Sequence, residues 1–152
     1  MQAKCIEQLE NGILLEDRDI LVPWYIPLSQ LNTLALPFRF SEPNAHEWEW
    51  SLDSCVILGG LELSLYKRYS KDSGDEPFTS IGNSILAGGF YETSLSKFRA
   101  VNKHLVEIFG QPDLQSKNEK SVWKIKDTTV SLYVWERFDW FCGLQIYIGK
   151  FK

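Results

Sequence analysis

The chain is poor in the groups that chemistry most often needs. It has two histidines, His46 and His104, whereas a Ser, Cys or Thr nucleophile needs a base beside it, usually histidine. His104 falls on a predicted helix among Lys103 and Glu107, where it reads as a solvated or flanking side chain, and His46 at a strand start caps or packs. There is no HExxH and no CxxC, and the three cysteines, Cys5, Cys55 and Cys142, are odd in number and far apart. A zinc site and a disulfide framework are therefore not expected, and a reducing compartment fits best. Gly59-Gly60 and Gly88-Gly89 lack the lysine and strand-to-helix context of a phosphate loop. No catalytic residue, metal ligand or cofactor is expected.

Positive charge is also short. Lys and Arg number 16 against 20 Asp and Glu, a formal net charge of −4, which argues against nucleic acid, because phosphate contacts through Lys and Arg supply most of that affinity. No stretch approaches the roughly 18 apolar residues of a membrane helix. The opening MQAKCIEQLENG has no apolar core of the signal-peptide kind, so the expected location is the cytoplasm.

Aromatics are what the chain has in excess: 14% of its residues, six of them Trp. With 152 residues, 44% hydrophobic, it reads as one domain, 1–152, which at this size buries roughly 68–70% of its unfolded surface. The last third is the most legible. Leu95, Phe98, Val101, Leu105, Ile108 and Phe109 recur at helical spacing, with Lys97, Arg99, Lys103 and Glu107 on the other side. This predicts a helix from Ser94 to Phe109, capped by Thr93 or Ser94 and stopped by Gly110 and Pro112.

After a polar loop, Gln111 to Lys120, the period becomes 2 in Val122–Lys126, in Val130–Trp135 and, past a turn around Arg137–Asp139, up to Ile148. Cys142, Leu144, Ile146 and Ile148 make an aliphatic row against Phe141, Gly143, Gln145 and Tyr147. The aliphatic face should take the helix. The aromatic face is then either a docking surface or a second core layer.

Upstream, residues 2–10 suggest a short helix, Ile13–Leu15 and Asp19–Ile26 two strands, and Leu28–Leu34 a helical turn ended by Pro37. Ser41–Ala45 reads as a loop. From His46 the chain alternates, with His46, Trp48, Trp50 and Leu52 on one face and Glu47, Glu49, Ser51 and Asp53 on the other. Glu47 and Glu49 are then roughly 7 Å apart, a spacing open to paired carboxylates but commoner on a solvated edge. Cys55–Leu58 and Leu61–Tyr69 follow, separated at Gly59-Gly60 by a turn or a bulge. Lys71–Pro77 is a charged loop, and Gly82, Gly88 and Gly89 break Phe78–Tyr91. Trp50-Ser-Leu-Asp53-Ser-Cys-Val56 and Trp123-Lys-Ile-Lys-Asp127-Thr-Thr-Val130 echo each other, which suggests a tandem helix-plus-hairpin repeat, 27–69 and 94–148. The expected fold is α+β: a single, mostly antiparallel sheet with helices on one face.

A small, acidic, aromatic-rich cytoplasmic chain without catalytic residues resembles the bacterial immunity proteins that neutralise toxin domains, such as those of contact-dependent inhibition systems. The resemblance is one of profile over the whole chain and carries no motif and no residue role. It implies a non-catalytic monomer or weak homodimer that binds a basic toxin domain. On the residues themselves, the expected interface has Tyr66, Tyr133, Trp135 and Tyr147 at its centre, Glu47, Glu49 and Glu62 beside them, and Asp72, Asp75 and Glu76 at its rim. The alternative is a small-molecule or enzymatic domain whose aromatics line a pocket. A structural subunit with a large apolar patch is a third reading.

Overall fold

The computed structural model describes residues 2–33, 39–72, 76–117 and 119–149. Helix α1 (Gln2–Asn11) leads into the antiparallel pair β1 (Gly12–Leu15) and β2 (Ile20–Pro23), then into a 3-10 helix, Leu28–Thr33. Strands β3 (Arg39–Asn44), β4 (Glu47–Ile57) and β5 (Leu61–Ser70) form a sheet in that order. After β6 (Ser80–Gly89) the chain enters α2 (Tyr91–Phe109) and then β7 (Leu114–Ser116), β8 (Lys120–Ile125), β9 (Thr128–Arg137) and β10 (Asp139–Ile148). These strands make a second sheet, β6-β10-β9-β8-β7, with every pair antiparallel. The α+β class and the antiparallel pairing are as the periodicity implies, while the strands are shared among three sheets instead of one.

The core follows from the two rows read in the sequence. Phe98, Val101 and Leu105 of α2 are buried, as are Val130, Leu132, Cys142, Leu144 and Ile146 of the sheet, and α2 packs on β6, β9 and β10. Each such side chain contributes roughly 1.5–3 kcal/mol by leaving water. The three-stranded sheet adds Leu52, Cys55, Ile57, Leu61, Leu63 and Leu65 to the same core. There Phe78 stacks on Trp24 at 5.1 Å and meets the edge of Trp50 at 6.0 Å. Residues 76–78 are held against 25–28 by the bonds Tyr25 N–H to Phe78 C=O, Phe78 N–H to Ile26 C=O and Leu28 N–H to Glu76 C=O. Leu28 and Leu31 are fully buried, as expected; Leu34 and Pro37 lie outside the described residues.

The departures have common causes. Ser41–Ala45 is not a loop: most of it lies in β3, whose six residues are all exposed, and β7 emerges from the expected loop Gln111–Lys120 with all three of its residues exposed. A strand with no buried face leaves no alternation to read. The glycines do not break Ser80–Gly89, because β10 supplies a ladder along it from Tyr147↔Ser80 to Trp140↔Gly89, with irregularities that absorb the register. Gly59 and Gly60 lie in the turn between β4 and β5, and the bulge falls earlier, between Leu52 and Cys55.

Neither Thr93 nor Ser94 caps α2. The helix starts at Tyr91 after an extended Phe90 with no side-chain cap bond, where Tyr91 packs edge-on to Trp140 at 4.6 Å, so a ring contact sets the start. The internal echo does not survive folding: Trp50 to Val56 runs within one strand, whereas Trp123 to Val130 turns a hairpin at Lys126-Asp127.

Candidate functional site

The face of the larger sheet opposite α2 carries a row of aromatic rings. β9 and β10 pair with Tyr133 opposite Gly143 and Trp135 opposite Phe141. The rings follow that register: Tyr133 to Trp135 is 5.0 Å between centroids and Trp135 to Phe141 is 5.1 Å. Gly143 makes this possible, since a Cβ there would stand 2.6 Å from the Trp135 ring, and Gly88 does the same beneath Phe141 at 2.9 Å. Bare backbone lets large rings lie along the sheet instead of standing off it. Trp135, Tyr133, Phe141 and Tyr147 are all half-buried.

Tyr66 joins this row from the other sheet. β5 lies beside β6, with Lys67 Nζ donating to Ser80 Oγ at 2.9 Å. Burial, with Tyr66 adding to it, pushes the Tyr133 phenol up to about 12. Next to the rings is a depression of about 650 Å³, lined by Ser131 and Gln145 between Tyr133 and Tyr147 and by Glu119 and Lys120.

At the end of the row the β9–β10 hairpin turns at Phe138, which is 98% exposed and has φ 68. A bulky residue in the left-handed region is uncommon and strained, and a wholly exposed ring at a hairpin tip adds nothing to the core. Phe90, 78% exposed, follows Gly89, the partner of Trp140 in the ladder. The sequence reading put Phe141 on the aromatic face but not in the site, and it left Phe138 and Phe90 out. The signal for Phe141 and Gly143 was present: folding the hairpin about its turn puts them opposite Trp135 and Tyr133.

The expected carboxylates divide. Glu47, Glu49 and Glu62 share Tyr66's face of β4 and β5, as the pairs Glu49↔Arg68, Ser51↔Tyr66 and Val56↔Glu62 require. Glu49 is bonded to Arg68 at 2.7 Å, which compensates its charge. Glu47 accepts from Asn44 and Glu62 from Ser54, both neutral, at 3.2 Å. Asp72 is exposed just past β5, where the neighbouring Lys71 lies over the Trp48 ring at 4.3 Å. Glu76 is not at this rim: the bridge between Pro27 and Pro77 draws it to the other face of β5, near Lys67. Asp75 lies outside the described residues. On the β8 side the flank carries exposed Lys120 and Lys124 beside Glu119.

His104 Nε2 meets the Leu58 carbonyl at 2.8 Å, tying α2 to the β4–β5 turn, and His46 sits exposed in the β3–β4 turn, its backbone N–H donating to Asn44 Oδ1. Cys55 and Cys142 are buried free thiols pushed up by burial to about 12 and about 11, so neither offers thiolate at neutral pH. Among the described residues no group of His, Cys, Asp and Glu converges as a metal would need, and no helix is long and apolar enough to cross a membrane.

The fold and this face thus define an α+β protein that presents a ring-lined sheet surface. Comparison with known protein families, with curated proteins and with solved structures finds no match.

Proposed function

We propose that this protein is a non-catalytic cytoplasmic binding protein that seats a basic protein domain, of the toxin kind, on the aromatic face and so neutralises it. The observation that carries the reading is the row Tyr133–Trp135–Phe141, laid over glycines on the sheet face opposite α2 and continued to the exposed tip at Phe138. Rigid aromatic rings with few rotatable bonds are what interface hot spots are made of. Glu47, Glu62 and Asp72, with the net charge of −4, supply the steering that a cationic partner responds to. A cytoplasmic site of action fits Cys55 and Cys142, which are buried free thiols.

The test is comparative capture from the native cell's lysate on immobilised wild type and Trp135→Ala. A basic protein retained by the wild type, lost with the variant and inactive as a toxin when bound supports the reading. Equal capture by both, or capture only of acidic proteins, contradicts it. A toxin gene immediately upstream would set the class independently.

A second reading has its own support. The depression between Tyr133 and Tyr147 has a polar floor, Ser131 and Gln145, which suits a small polar ligand with a flat face. Saturable quenching of Trp fluorescence by a metabolite pool, with no protein captured, would favour it.

A further inference from the structure

On the α2 side of the molecule, away from the aromatic face, a cleft of about 530 Å³ opens between α1, β1, the β4–β5 turn and α2. Its walls are aliphatic: Leu9 from α1, Ile13 and Leu14 from β1, Ile57 from β4 and Ile108 from α2. Its charged lining residues are Glu16, Asp19 and Glu107, and no Lys or Arg lines it. We propose that this cleft is a second binding site, for a small organic cation with an aliphatic body, an alkylammonium.

The site is already built. Both oxygens of Glu16 accept backbone N–H groups, from Gly59 and from Gly60, each at 2.9 Å. These bonds fix the carboxylate in place while leaving its charge uncompensated. They also hold a turn in which Leu58, Gly59 and Gly60 all have left-handed φ, at 49, 75 and 111. A Cβ on Gly59 would meet Ile108 Cδ1 at 2.8 Å, so the wall depends on glycine at that point. His104, anchored on Leu58, ties the turn to α2.

The volume lies within the range of roughly 300–1,000 Å³ usual for small-ligand sites, and aliphatic walls with a few placed polar groups are the usual lining. Chemistry then selects the ligand. A carboxylate or phosphate would face three acids with no Lys or Arg to answer it, and a neutral chain would use only the walls. An ammonium on a short alkyl chain uses both, and the like-charge cost against anions supplies the specificity.

The experiment is an NMR titration of the full chain with n-hexylammonium, hexanol and hexanoate in parallel. The expected result is saturable shifts of the Leu9, Ile13, Ile57 and Ile108 methyls with hexylammonium, at least about threefold tighter than with hexanol, and no saturation with hexanoate. The double variant Asp19→Asn, Glu107→Gln, whose side chains are exposed, should keep the thermal midpoint and weaken hexylammonium toward the level of hexanol, with Glu16 as the one acid left in the lining. Leu14→Trp, which fills the cleft, should abolish both. Equal binding of hexylammonium and hexanol by the wild type, saturation by hexanoate, shifts confined to the Tyr133–Trp135 face, or undiminished binding by the charge variant would each overturn the proposal.

Discussion

Two aromatic clusters of similar ring spacing have opposite settings. In the first, Trp24, Phe78 and Trp50 are 7%, 1% and 1% exposed, and Trp24 Nε1 donates to the Leu9 carbonyl at 2.8 Å. In the second, Tyr133, Trp135 and Phe141 keep centroid spacings near those of Trp24 and Phe78 but lie half-exposed on glycine. Ring type and spacing do not separate core from surface; the neighbours do. Chain segments close over the first cluster, since residues 76–78 are pinned along 25–28. The second is supported from beneath by glycine and keeps its rings half-exposed.

The comparison breaks most visibly in the first cluster. Phe78→Ala should destabilise by about 3–5 kcal/mol, and Phe98→Ala on α2 by a similar amount, as buried rings do when truncated. Denaturant unfolding measures both, and a loss within about 0.5 kcal/mol, the range of surface substitutions, would move that cluster to the outside. Gly143→Ala should cost about 1–3 kcal/mol, because the new methyl displaces the Trp135 ring; a neutral result would mean that the rings do not lie on the glycine.

Tyr133 gives a pH signature. Its phenol is raised from 10.0 to about 12, so the folded state favours the neutral form. The sign follows: this contribution to stability is complete below pH 10, the unfolded value, and is lost as pH rises through about 12. Phenolate absorbance titrated alongside the unfolding midpoint should show Tyr133 titrating late, and Tyr66→Phe should bring it earlier. The smallest effect on the fold is expected from Phe138→Ala, within about 0.5 kcal/mol, since the ring touches solvent; its loss should be felt in partner binding alone.

What could be read in the sequence was whatever buries one face and leaves the other wet. α2, β9 and β10 have that property at the centres of their rows, where Phe98, Val101, Leu105, Leu132, Cys142, Leu144 and Ile146 are buried as read, whereas β8 buries Ser121, Val122 and Trp123 in succession. β3 and β7 have no buried face, and β6 carries glycines that only a neighbouring ladder rescues. Start and stop signals were overridden where rings met, as at Tyr91 and Trp140. Within the site, Tyr66, Tyr133 and Trp135 came from alternation alone. Glu76 was misplaced because a contact between distant segments, Pro27 with Pro77, decides its side of the sheet. Phe138 went unnoticed because a turn residue has no periodicity to mark it.

The central claim is that the outer aromatic row binds and the inner one folds, and Trp135→Ala tests it most directly when thermal midpoint and partner dissociation rate are measured on the same preparation. The account predicts a midpoint lowered far less than by Phe78→Ala, together with a faster off-rate worth about 2 kcal/mol or more of affinity. A midpoint that falls as far as that of Phe78→Ala, with unchanged partner kinetics in the fraction that remains folded, would contradict it.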